Sequence, residues 1–146
     1  MLSNAGVAKT DLITRAVAEA ERSVDDLPDL SAFLKTYYRH VSDEGLVGRD
    51  PVDVFGAAVS QRRLALNRPV GTAQVRVFNP TLEAHGWFSP HTVIEIVTDD
   101  MPFLVDSVTS ALAQEGLSLH LVVHPQFTVQ RSLVGEPEAT AGTAFA

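Results

Sequence analysis

The sequence predicts an α/β fold of the α+β kind, with helices first and a β-α-β sheet unit after them. Three observations carry that reading. Residues 92–98 (TVIEIVT) are apolar and β-branched, as in a strand buried on both faces. Leu104, Val108 and Leu112, with Val105 and Ala111 beside them, then recur at helical spacing and draw one apolar stripe. Leu117 to Val123 is a second apolar run of strand length. Between strand and helix, Asp99-Asp100 offers oxygens to the N–H groups that open a helix, Pro102 suits a first turn, and Gly116 suits the residue just past the last one.

Upstream, residues 1–9 read as frayed, and Leu12, Ile13, Ala16, Val17 and Ala20 mark an amphipathic helix from Asp11 to near Ser23. Asp25-Asp26-Leu27-Pro28 breaks it. Asp29 or Ser31 can cap a second helix, in which Leu30, Phe33, Leu34, Tyr37, Tyr38 and Val41 fall three and four apart. In its YYRH cluster one tyrosine is expected in the core, with the other and Arg39 at the surface. Ser42 to Arg49 is a glycine-containing turn. Asp50-Pro51-Val52-Asp53 is a strong helix start, and the helix that follows carries Val54, Phe55, Ala58, Val59, Leu64 and Leu66 and stops before Pro69. Gln61, Arg62 and Arg63 suit its C-terminal dipole. Thr72 to Phe78 alternates as a strand, and Thr81 to Pro90 is a loop in which Trp87 is expected to lid a core edge. Past His124-Pro125, Phe127 to Arg131 resumes an extended pattern, and GEPEATAGTAFA reads as a solvated tail. The sheet thus offers three or four strands against three N-terminal helices and one crossover helix.

Composition narrows the function classes. One domain, or one domain plus a fragment of another, fits 146 residues, and 11 basic against 18 acidic residues give a net charge of −7, a poor match to a phosphate-backbone binder. The absence of cysteine removes disulfide and thiolate chemistry. The five histidines lack metal-ligand spacing. No apolar run reaches the ~20 residues a membrane span needs. The N-terminus lacks the pattern of a signal peptide, so a cytoplasmic location is expected. The strand before DDMPF has no glycine cradle for a pyrophosphate, and no P-loop, GxSxG or HExxH motif is present. Asp99, Asp100 and Asp106 could pair as acid and base, but capping is the simpler role for the first two. Residues alone therefore stop at an α/β binding or regulatory module.

Two stretches resemble known families. The run TDDMPFLVDSVTSALAQEG resembles the first strand-loop-helix of ACT domains, whose loop usually reads D-x-P-G-L-L. Those are ferredoxin-like βαββαβ sandwiches that commonly bind amino acids at that loop, often across a dimer interface. The resemblance places Asp100, Pro102, Leu104 and Val105 at motif positions and implies an effector-binding loop of Asp99, Asp100, Met101, Pro102, Phe103 and Asp106. Phe103 stands where the glycine should be, so its ring would partly fill the effector's space.

The longer resemblance joins YYRHV, RDPVDVFGAAVSQRRLALNRPVGTAQVRVFNPTLEAHGW and TVIEIVTDDMPFLVDSVTSALAQEGLSLHLVVHPQFTVQR, roughly residues 33–131. It is similar to the N-terminal region of the large bacterial NAD-specific glutamate dehydrogenases, the actinobacterial branch above all. That implies a helical segment over 1–70, an ACT-like β-α-β region over 71–131 left incomplete at its C-terminus, and a disordered tail over 132–146. It also implies that the chain is a portion of a much longer cytoplasmic enzyme. No catalytic residue, metal ligand or bound cofactor falls within this portion, and NAD belongs to the full-length enzyme. The expected partners are the rest of the parent chain, further copies in a homo-oligomer and an amino-acid effector, with neither nucleic acid nor membrane. A stand-alone amino-acid sensor and a purely structural docking domain are the alternatives.

Overall fold

In the computed structural model, residues 4–23, 29–128 and 143–145 are described. Four helices, α1 (Asn4–Ser23), α2 (Leu30–Tyr37), α3 (Asp43–Leu46) and α4 (Pro51–Leu66), precede strand β1 (Gln74–Phe78). After it come α5 (Leu82–His85), β2 (Val93–Val97), α6 (Leu104–Gln114), β3 (Val122–Val123) and β4 (Thr143–Phe145).

The helices carry the core. Leu12, Ile13, Ala16 and Ala20 line one side of α1 and meet Phe33, Leu34, Val54, Ala58 and Val59 from α2 and α4. α1 begins at Asn4, seven residues before the Asp11 that propensity suggested. Its early turns are tied down from outside: Lys9 Nζ donates to the carbonyl of Val41 at 2.5 Å and lies 4.0 Å from Asp43. α4 starts as its sequence dictates, with Asp50 Oδ1 accepting from Val52 N at 2.9 Å and Pro51 in the first turn. α2 departs from expectation at its start. Asp29 holds the N-cap position at φ 55° without a side-chain cap, and Ser31 already lies inside the helix.

Both tyrosines of YYRH are buried, where one was expected outside, while Arg39 and His40 are exposed. Each phenol finds an acceptor on α4, which removes the penalty for burying it. Tyr37 donates to Gln61 Oε1 at 2.6 Å and Tyr38 to the Val54 carbonyl at 2.5 Å. Gln61 and Arg62 are likewise buried, so they do more than complement a helix dipole. Gln61 passes the Tyr37 contact on to the sheet by donating to the Ile96 carbonyl at 3.2 Å, and the Arg62 guanidinium lies 4.9 Å from the Phe33 ring centroid.

The sheet runs β1-β2-β4-β3 with every neighbouring pair antiparallel. β2 and β3 are therefore parallel, with α6 crossing between them and β4 inserted in the gap: a split β-α-β unit, as in ferredoxin-like folds. The two strands that flank α6 are thus not neighbours in the sheet. The arrangement also brings Thr143–Phe145, expected in a solvated tail, into the sheet. The remainder of that tail, like Gln130 and Arg131, lies outside the described residues. Only Val122 and Val123 of the 117–123 run form strand. Val123 is buried in the helical core, and Phe127 stacks on Phe33 with centroids 5.1 Å apart, fastening the chain after β3 to α2.

The two faces of the sheet differ. On β2, Val93, Glu95 and Val97 are buried toward α4 while Ile94 and Ile96 are half-buried, so the strand is enclosed on one face only. On β1 the alternation is inverted from the usual sense. Gln74, Arg76 and Phe78 turn inward, and Val75 and Val77 are 60% and 61% exposed. The inward arginine is explained by its partner: Arg76 sits directly opposite Glu95 in the ladder. Trp87 is buried as expected, seated against Gly56 of α4, where an added Cβ would come within 2.4 Å of the indole's own Cβ.

Candidate functional site

The loop from β2 into α6 bounds an open recess of about 480 Å³, whose other wall is His124 and Gln126 from the chain after β3. Of the expected loop residues, Asp100, Met101, Pro102, Phe103 and Asp106 line it and Asp99 does not. Asp99 Oδ1 instead accepts from Arg68 Nη2 at 2.8 Å. The Arg68 side chain is buried beyond α4 and donates through Nη1 to the Thr72 carbonyl at 2.6 Å. That pair clamps the end of β2 to the α4–β1 turn.

Neither aspartate caps the helix, contrary to the sequence reading. α6 starts at Leu104, its N-cap position is Phe103, and no side chain caps it. Pro102 stands two residues ahead of the helix rather than within its first turn. The reason is the backbone at Phe103, whose φ of 63° is left-handed and lets Met101–Phe103 turn before the helix begins. The D-x-P-G-L-L pattern has glycine at this position, the residue that adopts such a φ without cost. Phe103 adopts it as a phenylalanine, with the residue 75% exposed and its ring only a partial wall of the recess.

The recess joins a helix N-terminus to two carboxylates. The first N–H groups of α6 lack a side-chain cap and present the positive end of the helix dipole. Asp106 in the first turn and Asp100 beside it supply carboxylates, and Gln126 Nε2 holds Asp100 Oδ1 at 3.1 Å. His124 and Gln126 were not singled out from sequence as site residues. Their only signal was the Pro125 that bends the chain after β3 toward the loop.

A second polar cluster lies in the interior. Glu95 accepts from Ser60 Oγ at 2.6 Å, and its other oxygen is 4.0 Å from Arg76 Nη1. Burial pushes the Glu95 carboxyl up from its ordinary range, against the opposing pull of Ser60 and Arg76. Burial raises the Tyr37 and Tyr38 phenols as well, which keeps both as neutral donors. His91 and His120, each two residues ahead of β2 and β3 respectively, stack with centroids 3.7 Å apart. Among the described residues no group of three or more His, Cys, Asp or Glu is placed to hold a metal ion, and no helix is long and apolar enough to cross a membrane.

Residues 33–144 match the family described as glutamate dehydrogenase, ACT1 domain. The NAD-specific glutamate dehydrogenase of Pseudomonas aeruginosa is 37% identical over 110 residues, 75% of this chain and 7% of its own length. That of Halomonas elongata is 32% identical over 141 residues, 91% of this chain and 9% of its own length. The chain thus spans less than a tenth of either relative. No solved structure matches it.

Proposed function

The chain belongs to the glutamate dehydrogenase ACT1-domain family, and from that premise we propose that it is a non-catalytic regulatory and assembly region near the N-terminus of an NAD-dependent glutamate dehydrogenase. In the parent enzyme glutamate, water and NAD become 2-oxoglutarate, ammonium and NADH, in the cytoplasm, with the hydride-transfer machinery in a distant domain. This region binds no cofactor of its own. Its role is to bias the parent's conformational equilibrium, which a ligand achieves only by favouring one state over another.

The observation that carries this reading is α6. None of its eleven residues is buried, yet it bears an amphipathic stripe of half-buried Leu104, Val105, Val108 and Leu112. A helix with such a half-covered stripe gains stability from whatever completes its burial. The same helix forms one end of the recess at Asp100–Asp106. An amino acid seated there would brace the first turn of α6 and so change how firmly the helix docks on the remainder of a homo-oligomeric enzyme.

Calorimetric titration of the chain with glutamate, aspartate and arginine tests the effector half. Saturable heat with one of them, abolished by Asp106→Ala, is the expected result. Silence with all three, from a chain shown to be folded, overturns it. A structural docking role without an effector is the second reading, favoured by the exposure of Val75 and Val77. Silence together with dimer formation at micromolar concentration supports it.

A further inference from the structure

Two histidine rings meet at one end of the sheet. β2 and β3 run parallel with β4 between them, so both strands start on the same side of the sheet, about 10 Å apart across β4. His91 and His120 stand ahead of those starts and lean across that gap, with centroids 3.7 Å apart and ring planes within 10° of parallel. Among the described residues neither imidazole has a hydrogen-bond or ion-pair partner, so face contact holds the two together. The stack adjoins an interior cavity of about 60 Å³ between the helical layer and the sheet, room for a few water molecules beside Tyr37, Tyr38 and Glu95. Ser89 and Leu121, each within two residues of a stacked histidine, also line it. Leu121 packs on the helical core, where a Cβ on Gly45 of α3 would come within 3.3 Å of it. Leu117 and Leu119 ahead of it are exposed, so Leu121 is what seats this connection.

We propose that the His91–His120 stack is a proton-operated latch, which seats the α6–β3 connection on the helical layer while at most one ring is charged and releases it when both are. An imidazolium is attracted to the face of a neutral ring, so a first proton leaves the stack intact. A second sets two like charges 3.7 Å apart, and their repulsion opposes the contact. The charged groups on the neighbouring elements do not offset it. Asp43 of α3 lies 4.0 Å from Lys9, Glu44 is exposed, Arg49 Nε donates to the Gly45 carbonyl at 2.9 Å, and Asp53 Oδ1 accepts from Phe88 N at 2.8 Å. Histidine is the side chain whose charge changes between about pH 5 and 8. The latch is therefore closed above that range and opens as pH falls through it, after two protons have bound. Opening frees Leu121 and lets water into the cavity at Glu95. Neither histidine lines the loop recess, so the latch is independent of an effector there.

Amide hydrogen exchange of residues 117–123 in the 146-residue chain tests this, taken relative to α1 at each pH so that the intrinsic pH dependence of exchange cancels. Between about pH 8 and about pH 5 the relative rate is expected to rise about fivefold, along a curve steeper than one proton gives. His120→Phe keeps a ring on His91 without the second charge, so its segment stays protected and the rise disappears. His120→Gln removes the ring, so its segment exchanges fast at every pH. Both variants retain His40, His85 and His124, which assigns any lost rise to the stacked pair. Thermal melts confirm that both fold, and His91→Phe repeats the first substitution from the other ring. A flat profile in the unaltered chain overturns the proposal. So does an undiminished rise in both phenylalanine variants, or full protection near pH 8 in His120→Gln.

Discussion

The helical layer and the pair of elements α6 and β1 both carry apolar stripes, yet they end in different states. Between α1, α2 and α4, side chains such as Ala16, Leu34 and Ala58 reach full burial. In contrast, α6 buries none of its residues, and Val75 and Val77 of β1 are exposed. The first region completes its own core. The second has the patterning of a core half left open on its outer side, which is what the proposed docking role calls for.

The sharpest way to break that comparison is to truncate matched leucines. Leu34→Ala empties a fully enclosed site and is expected to cost about 2–5 kcal/mol in denaturant unfolding. Leu112→Ala, half-buried on α6, is expected to cost about 1 kcal/mol or less in the same chain. Comparable losses would mean that α6 is packed after all. Gly56→Ala probes the seam between α4 and the loop of Trp87. Its Cβ would meet the rigid root of the indole, so a loss of about 1–3 kcal/mol is expected, with a change in tryptophan emission. Phe103→Gly works in the opposite direction. It relieves a left-handed φ at an exposed ring and is expected to stabilise the chain by about 1 kcal/mol in thermal melts.

The smallest effect is a pH slope. Glu95 has a raised carboxyl pKa in the folded chain, so the folded state holds its proton at pH values where the unfolded state has released it. Its contribution is thus fully present below the ordinary glutamate range and is lost as pH rises through the raised value. Glu95→Gln keeps an acceptor for Ser60 and should flatten that decline. An unchanged slope would place the titration elsewhere.

Elements with a covalent or capping signature were legible in sequence. The Asp50-Pro51 start of α4 and the spacing of Leu30, Phe33, Leu34 and Tyr37 gave both helices and their buried faces. The D-x-P loop, and the family it belongs to, were carried by strings of residues rather than by spacing. What was illegible depended on partners distant in sequence. Tyr38 goes inside because Val54 offers a carbonyl, and Asp99 leaves its expected capping role because Arg68 reaches it from α4. Arg76 and Glu95 turn inward as a cross-strand pair, inverting the alternation that would have placed Val75 and Val77 in the core. The position of β4 between β2 and β3 is a matter of topology, which local pattern does not encode. Of the loop recess, the sequence supplied one wall. The other, His124 and Gln126, arrives only once β3 is placed.

The decisive measurement is amide hydrogen exchange along α6, compared between the 146-residue chain and the proposed longer enzyme. Residues 104–114 are expected to exchange quickly in the short chain, well ahead of α1 and α4, and to become strongly protected in the longer one. Equal protection of α6 in both would contradict it, because the helix would then need nothing beyond its own chain.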